Sequence, residues 1–229
     1  MGWRKPYIVA DLSMSYPPSV FVENHPTSLQ ALIHEQPFAT LVIAVGMLPV
    51  ACHVPLLLNE VEPGGEIWLE GHISAVNPIA TGDECCPVLA IFHGPQHYIS
   101  PSWYPSKATH PAVVPTWNYV AVHAHGELMR TRDPHWLRTH LAALSDIMER
   151  DRQEPWRLDD LPTDALRQAV DALVGLRLRI TQLYGIHKLS QNKPPTDRLG
   201  VRHGLEAVAS AAALAVAARI DVSDVDEPT

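Results

Sequence analysis

The feature that most constrains this chain is a succession of short β-forming segments, each cut off by glycine or proline, across residues 38–128. Residues 38–45 (FATLVIAV) and 49–58 (PVACHVPLLL) are rich in β-branched and apolar side chains and are separated by Gly46. After the turn Pro63-Gly64-Gly65, residues 66–73 carry apolar side chains at 67, 69 and 73 and glycine at 71. That alternation is the period of a half-buried strand. Residues 88–92 predict another strand, and 116–128 a long one or a bent pair. Several short strands with this punctuation predict an antiparallel barrel.

Helical patterns flank the β region. Thr27 with Gln30 three residues on reads as a capping box opening a short helix to Gln36, before Pro37. Asp133-Pro134 is an N-cap followed by an N1 proline, and Leu137, Leu141, Leu144 and Met148 recur at helical spacing. A second helix is predicted over 162–173, closed by Gly175. Residues 176–183 then alternate with period two and return as the last strand, with Arg177 and Arg179 on its solvent face. The alanine-rich stretch 205–218 reads as a C-terminal helix. With no internal repeat or low-complexity linker, the organisation is an extension (1–15), one barrel domain (16–205) with a helical insertion (133–174), and a helix with tail (206–229).

Charge and composition exclude several classes. The 229 residues hold 25 acids against 17 bases, a net charge of −8, which disfavours phosphate contacts and so a nucleic-acid partner. No apolar run reaches the roughly 18–20 residues of a membrane span. Arg4 and Lys5 are followed by Pro6 and Asp11, so no secretory leader is expected, and Met1-Gly2 lacks the hydroxyl residue of a myristoylation signal. Cys52, Cys85 and Cys86 form neither a disulfide framework nor a CxxC motif, so a cytoplasmic setting is expected.

The chemistry concentrates in two places. The 33 residues from His93 to His125 hold five of the thirteen histidines together with Tyr98, Trp103, Tyr104, Trp117 and Tyr119. Polar-tipped aromatics at this density call for a planar ligand or an interface to satisfy their O–H and N–H groups, or else form an aromatic core layer. Pro101, Pro105, Pro111 and Pro115 stiffen the intervening loops. Downstream of the last expected strand, His187-Lys188-Leu-Ser-Gln191-Asn192 offers a cation, a hydroxyl and two amides to an anionic or polar ligand.

These segments carry a resemblance. YISPSWY (98–104), VPTWNY (114–119) with AVH (121–123), and KLSQN (188–192) resemble the FMN-binding negative transcriptional regulator family, as do PFAT (37–40), CHVP (52–55), Gly71-His72 and FHGP (92–95). The resemblance runs in order from about Tyr16 to Leu205. It implies a mainly β fold with helices (α+β), an FMN-binding split β-barrel with helical additions, and a homodimer with cofactor sites at the subunit interface. Two departures stand out. Asn77-Pro78 continues with Ile79-Ala80 where the family often has Gln-Trp, and Cys52 replaces a common Ser. Both point to a larger, more apolar cofactor pocket.

The departures direct the resemblance toward the piperazate synthases, which use heme b in place of FMN. What this implies is conversion of N5-hydroxy-L-ornithine to L-piperazate by intramolecular N–N bond formation with loss of water. Heme needs an axial donor, and histidine is its commonest neutral one. His72 is the first candidate, because Gly71 would let a planar ring approach the backbone. His53, expected on the neighbouring strand as ligand or as partner of the ligand, and His123 stay open as alternatives. Lys188 is assigned to anchoring the substrate carboxylate or to proton transfer, with Tyr98, Ser100 and Gln191 assisting and Trp103 and Trp117 bordering the cofactor. The competing implication is a flavoprotein without synthase chemistry, its FMN phosphate met by Lys188 or Arg198. A colourless dimeric scaffold is the third reading.

Overall fold

A computed structural model describes residues 17–60, 65–82 and 85–224; the extension 1–15 lies outside them. The elements in chain order are β1 (Val22–Glu23), α1 (Pro26–Glu35), β2 (Phe38–Val45), β3 (Leu48–Pro55), β4 (Leu57–Glu60), β5 (Ile67–Ser74), β6 (Cys85–Ile99), β7 (Thr116–Thr131), α2 (Pro134–Glu149), α3 (Thr163–Asp171), β8 (Leu173–Lys188), α4 (Pro195–Val208) and α5 (Ala211–Ala217). Among the described residues no helix is long and apolar enough to cross a membrane.

The fold is mainly antiparallel sheet with helices, in the strand order β3-β2-β6-β7-β8-β5-β4, and β1 pairs with β8. β3 and β4 are the two ends of that order, so the sheet is not closed by pairing between them. The chain divides into two compact units. The first comprises Ile33–Phe92 and His123–Leu183; the second comprises the described residues up to Leu32, His93–Val122 and those from Tyr184 on.

In the first unit, alternation places the core as the sequence pattern requires. Ala39, Leu41 and Ile43 of β2, Ile67, Leu69 and Ile73 of β5, and Leu176 and Leu178 of β8 are all buried. Opposite them on β5, Glu70 faces Arg177 across the ladder, and its carboxylate accepts from Arg177 Nε at 2.9 Å. Arg177 also lies over the Trp68 ring, and Arg179 pairs with Glu127 at 2.5 Å. Asp133 caps α2 by accepting from the His135 amide, and Leu137 packs with Leu158, Leu166 and Val170 in a small core between α2 and α3.

Gly175 does not close a helix. α3 ends at Asp171, and Gly175 is the third residue of β8, where it makes a recess. A Cβ there would stand 2.2 Å from Cζ3 of Trp136 and 2.7 Å from Thr131, so the indole occupies the space a side chain would fill. α2 thus docks on the sheet through one aromatic ring set over one missing methyl.

The second unit holds the ends of β6 and β8, the start of β7, the short turns Pro101–Trp103 and Pro105–Ala108, and the C-terminal helices. The stretch 205–218 is not one helix. α4 ends where Ala209 takes a left-handed conformation (φ 54°), and Ser210 caps α5 by accepting from the Ala213 amide. Helix propensity alone sees an alanine-rich run and misses the αL residue that breaks it. β8 continues through Lys188, so that lysine ends a strand rather than following one.

Replacing Gly175 by Ala overpacks the Trp136 seat and is expected to cost about 1–3 kcal/mol, read by urea denaturation. In a Trp136→Leu background the same change should cost much less, because the two effects share one contact.

Candidate functional site

On β5, alternation sends Gly71 inward and His72 to the face that meets α2. A Cβ at Gly71 would lie 2.8 Å from both Leu56 Cδ2 and the Pro55 carbonyl oxygen. The close approach that requires this glycine is therefore made by the chain's own β3–β4 segment, on the side away from His72, and not by a ligand ring. His72 Nδ1 lies 3.2 Å from Nε2 of His140, with ring centroids 5.3 Å apart and the planes at 68°. His140 is 4% exposed and stacks on Trp136, centroids 5.2 Å apart and planes 5° from parallel. Trp136 and His140 are four residues apart on α2, the spacing that puts two side chains one above the other.

Burial lowers the pKa of His72. Burial and then the neighbouring His72 charge push His140 down to about 4. Both rings are neutral near pH 7, so one donates and the other accepts across the 3.2 Å contact. An imidazole bonded through Nδ1 directs Nε2 away from that partner, and Nε2 keeps its lone pair when Nδ1 is the donor. With the proton on Nδ1, the contact has the form in which a neighbour orients the other nitrogen of a metal-ligating histidine. The sequence reading did not single out His140. Its signal was Trp136 and His140 at helical spacing beside the leucine stripe.

The other two histidines are placed differently. β5 has β4 and β8 as hydrogen-bonded neighbours, so His53, on β3, is not on an adjacent strand. It is exposed, with Nδ1 3.1 Å from Thr40 Oγ1 and its ring 6.2 Å from that of Phe38. His123 is half-buried on β7. Cys52 faces into the core with its thiol pKa raised by burial. Nor do Ile79 and Ala80 line an enlarged pocket. They are 1% and 5% exposed, in a turn capped by Asn77 Oδ1 and held by Arg130 Nε at 2.7 Å from the Ile79 carbonyl. The departure from the family pattern is spent on packing.

In the second unit, the expected residues form two groups. Lys188 Nζ donates to Thr116 Oγ1 at 2.6 Å, and two residues on, Asn118 Nδ2 donates to Ser190 Oγ at 2.9 Å in a buried pair. Ser190 is left-handed (φ 68°), which turns the chain sharply after the strand. Gln191 braces that turn, its Oε1 accepting from the Leu189 amide at 2.7 Å and its Nε2 donating to the His187 carbonyl. The second group is aromatic. Tyr98 and Trp117, both nearly half exposed, meet edge to face at 6.2 Å, and Trp117 Nε1 donates to Gln96 at 3.0 Å. Trp117 projects from the opposite face of β7 to Thr116 and Asn118.

Ser100 caps the next turn and bonds Ser102 Oγ at 2.7 Å. Trp103 lies against α4, where a Cβ at Gly204 would enter its ring. Arg198 is committed through its two terminal nitrogens to the Asp221 carbonyl and to Asp224, while its buried Nε has no partner among the described residues; Lys188 spends one N–H on Thr116.

Residues 15–182 match the family model "Putative FMN-binding domain". The chain belongs to that family. A relative, "Protease synthase and sporulation protein PAI 2" of Bacillus subtilis (strain 168), is 32% identical over 193 residues, covering 83% of this chain and 89% of that protein. Among solved structures, the flavocytochrome Anf3 from Azotobacter vinelandii superposes with TM-score 0.54 at 13% identity, covering 73% of this chain and 69% of that one. The FAD and heme binding protein from Mycobacterium smegmatis gives 0.53 at 18% identity, with 73% of each chain covered. At these identities the likeness is one of fold, and it is the split-barrel fold of the family.

The buried His pair makes the first unit acid-sensitive. Both native pKa values lie below the ordinary 6.5, so the unfolded chain takes up more protons in this range. Stability is therefore full above pH 6.5, falls as pH drops toward about 4, and gains no further slope from His140 below that. Thermal melts from pH 8 to pH 4 should show this decline, and His140→Leu should flatten it.

Proposed function

We propose that this protein is a heme-dependent piperazate synthase, converting N5-hydroxy-L-ornithine to L-piperazate and water. The observation that carries the reading is His72, a neutral half-buried imidazole with Nδ1 engaged by His140 and Nε2 directed elsewhere. Such a donor fits heme iron, whereas a flavin needs no imidazole lone pair. Further support comes from the two structural neighbours, described as a flavocytochrome and as an FAD and heme binding protein. The sequence resemblance supplies the synthase chemistry.

In this reading His72 holds the iron, with His53 the second candidate donor. In the second unit, the edge-to-face pair of Tyr98 and Trp117 is by itself a surface suited to a planar group. Bound heme supplies a Lewis acid for the N-hydroxyl oxygen, making it a better leaving group. The chain's own residues bind and orient the rest. In the second unit, Lys188 Nζ spends one N–H on Thr116 and keeps two for a carboxylate. The braced turn at Ser190 and Gln191 limits its motion, which serves the near-attack geometry the α-amine needs. Tyr98 and Ser100 offer hydroxyls for the amine proton. In the balanced reaction the α-nitrogen bonds to N5, the N–O bond breaks, and hydroxide leaves with a proton as water.

The family's flavin chemistry is the second reading. The exposed Tyr98–Trp117 pair favours it, as a platform for an isoalloxazine ring. The absorption spectrum separates the two. The purified protein reconstituted with hemin should show a Soret band that His72→Ala abolishes or shifts, and a flavin doublet in its place overturns the synthase. With N5-hydroxy-L-ornithine, mass spectrometry should find a product lighter by one water. Lys188→Ala should lower kcat/KM by roughly 10–100-fold, the worth of one charge-assisted hydrogen bond.

We also propose a homodimer. The β2–β3 hairpin exposes Phe38 (64%), Met47 (99%) and Leu48 (70%), an apolar surface of the kind that interfaces cover. Sedimentation equilibrium should give twice 25.3 kDa, and Leu48→Glu should lower it toward the monomer.

A further inference from the structure

The two nitrogens of an imidazole are not equivalent once one is bonded, and only the nitrogen without a proton can ligate a metal. For His72, the proton can sit on Nδ1, donated to His140 Nε2, or His140 can be the donor and leave the proton on His72 Nε2. The first arrangement leaves a lone pair on His72 Nε2, and the second puts a proton there.

The surroundings hold the His140 ring in place on the α2 side of the pair. His140 is 4% exposed, so water does not compete for its nitrogen. Its ring plane is set by stacking on Trp136, 5° from parallel. Trp136 in turn is seated where Gly175 leaves room, within 2.2 Å of an absent Cβ. The order of dependence is Gly175, Trp136, His140, His72. Each contact fixes a plane or a direction for the next.

We infer that His140, held by Trp136, is the positioning residue for His72: it accepts the Nδ1 proton and so commits Nε2 to the iron. This rests on the heme reading above. It goes beyond it by assigning the tautomer and basicity of the donor to a helix residue that itself touches no cofactor. Accepting from Nδ1–H also makes the imidazole a stronger donor, as outer partners of metal-bound histidines do.

The test uses the full chain reconstituted with hemin and compares His140→Leu, which removes the acceptor, with His140→Gln, which keeps one in its amide oxygen. Hemin titration should show affinity about 10–100-fold weaker in the Leu variant. Resonance Raman of the ferrous protein should show the iron–histidine stretch at lower frequency, and the reduction potential should rise. The Gln variant should return toward the wild type in all three, which a purely space-filling role for His140 does not predict. If the Leu variant does not fold, Trp136→Leu, which frees the His140 ring, should shift the same stretch in the same direction. Wild-type affinity and stretch in both the Leu and Gln variants, with His72→Ala still abolishing the Soret band, overturns this inference and leaves the heme reading standing. A wild-type protein that takes up no heme overturns both.

Discussion

The first unit depends on how α2 is seated on the sheet. One strand residue lacks a side chain, and one indole takes the space. Because α2 presents residues four apart on one face, seating Trp136 also sets the rotation of the helix and delivers His140 to His72. The seat is steric, and steric contacts in packed interiors are stiff. The site gains precision from a contact that involves none of its polar atoms. The cost is two imidazoles whose protonation burial disfavours.

The second unit solves a different problem. A lysine at the end of a strand is ordinarily mobile and solvated. Here its ammonium is tied to Thr116, while two residues on the chain turns through a left-handed Ser190 whose hydroxyl is buried against Asn118. A left-handed residue other than glycine carries a steric cost, and the hydroxyl–amide bonds offset it. Gln191, read from sequence as a ligand contact, closes both ends of its side chain on the same turn. The cluster therefore behaves as a braced cation. On the other face of β7, Tyr98 and Trp117 keep much of their surface exposed, as a binding surface for a planar group would. The match to the FMN-binding family covers residues 15–182, which hold Tyr98, Thr116 and Trp117 and stop short of Lys188.

Much of the fold was legible because it rests on local periodicity. The strands from Phe38 to Val45 and from Ile67 to Ser74 follow directly from alternation, and α2 follows from Asp133-Pro134 and its leucine repeat. What misled were residues with two possible uses. Gly175 looks like a helix stop beside α3, yet serves as a recess in a strand. Gly71 looks like room for a ligand, yet the room is taken by Leu56 and Pro55. Ile79 and Ala80 look like pocket lining, yet they are core. A glycine in a sequence announces a close approach without saying what approaches.

The sequence by itself determined the class: alternating β-strands, the capped helix α2, a supply of histidines and aromatics, and a net charge of −8. These depend on neighbours within a few residues, where side-chain period and capping chemistry act. Only the tertiary structure decided that His72 meets His140, 68 residues away, and that Lys188 meets Thr116, 72 away. Hydrogen bonds over such separations are set by strand register and helix seating, and neither is written in any one segment. A one-residue slip on β5 would turn His72 into the core and Gly71 toward α2, with the local pattern almost unchanged.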